Sequence, residues 1–180
     1  MKFLAISGSL RSDSTNTALL EAISRAAPEN IEISLFREIG DLPIFSPDLE
    51  TPQPPDSVRR FVEAVDSADG LIVSSPEYVR AIPGGLKNAI DWLVSDEAVI
   101  GKPIVLAHAS HRGGDMLASL RTVLATVSSR FNPDIFLSRP LMSKSPGEIR
   151  SELSSAEGAT ALRDYVKRFA AYVESSQGEM

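Results

Sequence analysis

The chain has 180 residues, 18 Lys and Arg against 24 Asp and Glu, a formal charge of −6 and no cysteine. Its 43% hydrophobic and 23% charged residues exclude a disordered chain. The missing thiols exclude disulfides, thiolate metal sites and a cysteine nucleophile, and the acidic balance weighs against nucleic acid and membrane partners.

The first predicted strand is Lys2–Ser7. Its apolar run, Phe3-Leu4-Ala5-Ile6, is too short for a signal-peptide core. No run approaches the ~18 apolar residues of a membrane span. The expected location is therefore cytoplasmic. After a Ser-rich loop, Ala18, Leu19, Ala22, Ile23 and Ala26 share one helical face. A second strand is predicted over Ile31–Phe36. Gly40 to Asp56 holds Pro43, Pro47, Pro52, Pro54 and Pro55 and reads as a rigid surface connection. Val58, Phe61, Val62 and Val65 form the next helical stripe, and Gly70–Ser75 the third strand. Leu86, Ala89, Ile90, Leu93 and Val94 repeat the stripe. A fourth strand, Pro103–Ala107, precedes a helix bearing Leu117, Leu120, Leu124 and Val127. A fifth strand, Asp134–Leu137, precedes a last helix bearing Leu162, Tyr165, Val166, Phe169 and Val173. Arg59-Arg60 and the charges between Glu148 and Glu157 read as solvated helix faces. The polar tail, residues 175–180, is expected to fray.

Strand and helix alternate five times, and the strands are continuously apolar. That combination predicts a parallel sheet covered on both faces. The simplest arrangement is an α/β, three-layer α/β/α domain of flavodoxin type, with a doubly wound five-stranded sheet in the order 2-1-3-4-5. No repeat or linker divides the chain, so residues 1–180 are expected to form one domain. In such sheets ligands sit beyond the carboxyl ends of the strands, where the strand order reverses. The loops after strands 1, 3 and 4 should therefore face one crevice.

The first of these loops runs from Ser7 to Thr17 and opens a helix. Small residues let the backbone approach a ligand, and the helix start offers free amides to an anion. Ser9, Ser14, Asn16 and Thr17 add neutral donors and Arg11 a positive charge. The plain alternative is a capped helix, with Ser12, Asp13 or Ser14 as N-cap. Neither G-x-G-x-x-G nor G-x-x-x-x-G-K-[ST] is present, which disfavours a dinucleotide fold and a P-loop. In the second loop Pro76 stops the strand, Pro83 suits a helix start, and Tyr78 can line a flat ring. In the third, Gly113 and Gly114 open a helix beside Arg112. His108 and His111 could suggest a metal pair, but metals usually take three or four ligands, so no metal is expected. His111 reads equally as a hydrogen-bonding group beside a ligand or as a surface histidine.

The second loop, Pro76-Glu77-Tyr78-Val79-Arg80-Ala81-Ile82-Pro83-Gly84-Gly85-Leu86-Lys87-Asn88-Ala89-Ile90-Asp91-Trp92, resembles the family signature P-E-Y-N-x-S-x-P-G-x-L-K-N-A-I-D-W. The family is that of the NADPH-dependent FMN reductases, with quinone, chromate and azo-dye reductase relatives. Gly8, Ser9, Leu10, Arg11, Ser14 and Asn16 match its other motif, G-S-L-R-x-x-S-x-N. The resemblance spans Phe3 to about Val127. It departs at Val79, where the family usually has Asn, and at Ala81, where Ser is common.

The resemblance implies an FMN-binding oxidoreductase. Hydride would pass from NADPH or NADH through bound FMN to a quinone, azo, metal-oxyanion or free-flavin acceptor. Ser9, Arg11, Ser14, Asn16 and Thr17 are then expected to hold the phosphate. Pro76, Glu77, Tyr78 and Val79 are expected to border the ring, and Ser110, His111, Arg112, Gly113 and Gly114 its pyrimidine edge. No catalytic side chain is expected, since the cofactor carries the chemistry. Lys87, Asn88, Asp91 and Trp92 would fix the helix or a subunit contact, with Arg80 near the partner. A homodimer or homotetramer is implied by the resemblance alone. Two rival readings share the fold: a flavodoxin-type electron carrier and a non-enzymatic FMN-binding module.

Overall fold

The computed structural model describes residues 1–94 and 97–175. The strands are β1 (Lys2–Ser7), β2 (Glu32–Phe36), β3 (Gly70–Ser74), β4 (Ile104–His108) and β5 (Phe131–Ser138). The helices are α1 (Thr15–Ala26), α2 (Asp56–Asp66), α3 (Gly84–Asp91), α4 (Glu97–Ile100), α5 (Gly114–Val127), α6 (Pro146–Ser154) and α7 (Ala156–Ser175). All strand pairs are parallel, in the order β2-β1-β3-β4-β5. This is the flavodoxin-like order expected from the alternation. Of the polar tail, residues 176–180 lie outside the described residues.

Alternation along each strand sends side chains to two separate cores. Phe3, Ala5, Ile72 and Val105 meet Leu19, Ile23, Val166 and Phe169 of α1 and α7 on one face. Leu4, Ile6, Leu71, Val73, Ile104 and Leu106 meet Phe61, Leu86, Met116 and Leu120 of α2, α3 and α5 on the other. Phe3 and Phe169 lie 4.4 Å apart between ring centroids. Burial pushes the Tyr165 phenol in the first core well above its ordinary value.

Three details depart from expectation. The fifth strand starts at Phe131 rather than Asp134, and its register shifts opposite Ile104 and Leu106. Asn132 Oδ1 accepts the amides of Asp134 and Ile135 at 3.0 and 3.2 Å, and the edge position tolerates Pro133. Helix α3 stops at Asp91, leaving Val94 of the predicted stripe 59% exposed. The Pro-rich connection is not merely a surface strap, because α3 anchors it. Trp92 Nε1 and Asn88 Nδ2 both donate to the carbonyl of Pro43, at 2.8 and 2.9 Å. Asn88 Oδ1 accepts the Phe45 amide at 2.8 Å, and Phe45 packs edge-on to Trp92. Trp92 is thus buried within its own chain instead of standing on the surface for a partner.

Candidate functional site

Strand order reverses at β1 and β3, and the loops following β1, β3 and β4 converge there on a cleft of about 640 Å³. That volume lies within the ~300–1,000 Å³ of typical small-molecule sites. Ser9, Arg11, Ser14 and Asn16 line it from the first loop. Pro76, Glu77 and Tyr78 line it from the second, and Ser110, Arg112 and Gly113 from the third.

The first loop is built by short local bonds. The Ser9 amide donates to Ser7 Oγ at 3.3 Å, and the Arg11 amide to Ser9 Oγ at 3.4 Å. Ser14 is the N-cap of α1, its Oγ accepting the Thr17 amide at 3.2 Å. The capped-helix alternative and the anion-binding reading are therefore compatible. The cap satisfies Thr17, while the amides of Thr15 and Asn16 have no acceptor among the described residues. The positive end of the α1 dipole opens into the cleft with those donors. Asn16 is buried, and its Oδ1 accepts the Ser74 hydroxyl at 2.9 Å, which ties α1 to the end of β3. The close approach of the first two loops depends on Gly8. A Cβ there would stand 2.8 Å from Ser75 Oγ and 2.9 Å from Leu86 Cδ2.

The second loop carries a two-residue turn. Tyr78 and Ala81 exchange both backbone hydrogen bonds, at 3.2 and 3.0 Å. Between them Val79 and Arg80 take φ of 52° and 60°. Such a turn favours Asn or Gly, because a branched Cβ crowds the backbone at positive φ. The Val79 side chain is 98% exposed, so within the chain the departure from Asn is felt as backbone strain and costs no packing contact. A Val79→Asn variant is expected to gain about 1 kcal/mol in urea unfolding.

Two side chains lock this loop to α5. Glu77 Oε2 accepts the Met116 amide at 3.0 Å, capping α5 from a neighbouring loop. Arg80 pairs with Asp115, whose carboxylate holds the guanidinium above its ordinary value. Arg80 thus has a partner within its own chain. In the third loop the Arg112 amide donates to Ser110 Oγ at 2.9 Å, and Gly113 takes a left-handed φ of 99° to start α5.

Four expected site residues stand outside the cleft lining. Thr17 directs its hydroxyl to Ser7 Oγ at 2.9 Å, supporting the loop from behind. Val79 and His111 are exposed, and Gly114 lies in the first turn of α5. Conversely, Met142, Ser143 and Lys144 after β5, with Pro146 and Ile149 of α6, close one end of the cleft. Ser143 has φ of 71°, and Lys144 pairs with Glu152. The segment follows the strand next to β4, and that adjacency was its only signal in the sequence. Among the described residues no group of three His, Asp or Glu side chains could hold a metal ion.

The donor set fits FMN. Open helix amides and hydroxyls suit a phosphate dianion, and the wide cleft between two bent loops suits a flat ring. Comparison with known proteins agrees. The sequence model of the NADPH-dependent FMN reductase family matches residues 1–139. A quinone reductase of Escherichia coli (strain K12) is 34% identical over 113 residues, which are 61% of this chain and 60% of that protein. A quinone reductase of Pseudomonas putida (strain KT2440) is 30% identical over 178 residues, covering 93% of this chain and 91% of its own. Among solved structures, the flavoenzyme NAD(P)H:(acceptor) oxidoreductase FerB of Paracoccus denitrificans superimposes with a TM-score of 0.75 at 27% identity, over 97% of both chains. The strand order, the loop geometry and a match running through β5 lead to one conclusion: this chain belongs to the NADPH-dependent FMN reductase family.

Proposed function

We propose that the chain is a single-domain, FMN-dependent NAD(P)H oxidoreductase whose acceptor is a small quinone. The observation that carries this reading is the convergence of the open α1 amides with the β3 and β4 loops on one cleft. FMN, when bound, supplies a ring that takes reducing equivalents from NAD(P)H and returns them to an acceptor.

The residues of the chain bind and orient. Ser9, Ser14, Arg11 and the Thr15 and Asn16 amides receive the phosphate at the helix start. Ser74 keeps Asn16 aligned. Pro76, Glu77 and Tyr78 border the ring through bent backbone, and the Glu77 cap on α5 keeps that backbone in place. Ser110, Arg112 and Gly113 present donors to the pyrimidine edge. Lys144, held by Glu152, closes the far end of the cleft. Quinone is preferred to azo, metal-oxyanion or free-flavin acceptors because the Escherichia coli and Pseudomonas putida relatives are named quinone reductases. A cytoplasmic homodimer or homotetramer belongs to the same proposal, and light scattering tests its assembly.

The experiment is the visible spectrum of the purified protein, followed by NADPH and NADH oxidation with and without a benzoquinone. Yellow protein with quinone-dependent turnover is the expected result. Colourless protein that gains neither colour nor activity from added FMN overturns the reading.

A further inference from the structure

The β4 loop rests on a buried imidazole to which the reading above gives no task. His108 closes β4 and is 3% exposed. Its Nε2 lies 2.5 Å from the carbonyl oxygen of Arg112. A carbonyl only accepts, so this ring carries its proton on Nε2. Nδ1 is buried with no partner among the described residues, so a single hydrogen bond orients the ring. Packing holds it in place. The Phe136 ring lies nearly parallel, 6.5 Å away between centroids. A Cβ on Gly113 would stand 3.1 Å from His108 Cε1 and 3.3 Å from Nε2.

A trans peptide is planar, and its C=O and N–H point in opposite directions. The Arg112 carbonyl is drawn onto the buried ring, so the Gly113 amide is turned away from it. Gly113 lines the cleft, and its amide donates to no acceptor among the described residues. The Gly113 amide is therefore one of the donors this loop leaves free at the cleft, and the His108 bond holds the peptide that carries it.

We propose that His108 is a positioning residue. Its Nε2–H holds the Arg112–Gly113 peptide so that the Gly113 amide faces the electron-rich edge of a ring bound in the cleft. This inference rests on the flavin reading above and deepens it. A histidine that merely fills space would need only its ring shape, whereas a positioning histidine needs its donor.

Two substitutions separate these roles. His108→Phe keeps the planar ring and its packing on Phe136 but removes the N–H. His108→Gln discards the ring and restores an N–H at similar reach. FMN affinity is read from quenching of flavin fluorescence. Imidazole tautomer and Gly113 amide shift are read by 1H–15N NMR on flavin-free protein. The expected results are an Nε2-protonated His108, about 10-fold weaker FMN binding and a displaced Gly113 amide signal in His108→Phe, and recovery to within about 3-fold in His108→Gln. Equal affinity in wild type and His108→Phe overturns the proposal. So does equal loss in both variants, or an Nδ1-protonated ring in wild type. Wild-type protein that binds no FMN defeats the flavin reading instead, and the tautomer with the Gly113 signal then decides the role of His108. If His108→Phe does not fold, the tautomer and the His108→Gln affinity decide it.

Discussion

A Gly8→Val variant is expected to bind FMN at least about 10-fold more weakly than wild type and to lose about 3 kcal/mol of stability. Gly8 leaves β1 with its amide donating to the Ser74 carbonyl at 2.7 Å, so its backbone cannot retreat without breaking that bond. A Cβ would meet Ser75 Oγ at 2.8 Å, Ser75 Cβ at 3.2 Å and Leu86 Cδ2 at 2.9 Å. Neither neighbour has room to move. Ser75 is 2% exposed with its hydroxyl donating to the Pro76 carbonyl at 3.0 Å, and Leu86 is 1% exposed in the core beneath α3. Valine therefore forces the first and second loops apart, and these two loops frame the cleft. Gly84 provides the contrast. Nothing lies within 4 Å of its added Cβ, so Gly84→Ala is expected to be neutral or to stabilise by about 0.4–1 kcal/mol. Urea unfolding and FMN fluorescence quenching on both variants make the comparison. Equal behaviour of the two would remove the close approach as a requirement of the site.

FMN is expected to bind about 100-fold or more tightly than riboflavin. The two ligands share the ring and differ in the phosphate. Two charge-assisted hydrogen bonds at about 1.5 kcal/mol each already reach that ratio. The α1 start offers more than two donors, namely the Thr15 and Asn16 amides with Ser9 and Ser14 beside them. The chain as a whole carries −6, so this attraction is local and comes from the helix terminus and Arg11. Raising the salt concentration should accordingly weaken FMN more than riboflavin. Competitive titration of the two ligands at two salt concentrations measures both effects. Comparable affinities would mean that the helix start does not take the phosphate.

Much of the cleft lining was legible because each motif lies within one strand–loop–helix unit. Ser9, Arg11, Ser14 and Asn16 stand within eight residues of sequence, and their geometry follows from a capped helix leaving a parallel strand. The same locality made Pro76, Glu77 and Tyr78 readable. Legibility failed where a side chain finds its partner across the chain. Glu77 caps α5 some forty positions later, at Met116. Trp92 and Asn88 reach back to Pro43, which turns a presumed strap into an anchored wall. Thr17 is expected beside the phosphate, and the structure adds that its hydroxyl donates to Ser7 within the same loop. The end of the cleft formed by Met142 to Lys144 carries no motif and is present because β5 lies beside β4.

The amino-acid sequence by itself determined the alternation of strands and helices, their parallel order and the two loops that mark the family. Those features rest on apolar periodicity and local turn chemistry, which neighbouring residues decide. Only the tertiary structure decided which donors and acceptors are spent and which are free. Ser14 spends its acceptor on Thr17, and Asn16 spends its carbonyl on Ser74. His108 spends its one N–H on the Arg112 carbonyl, and the Gly113 amide has no acceptor among the described residues. A hydrogen bond depends on distances of a few tenths of an ångström between segments far apart in the chain, and such distances exist only once the layers have packed.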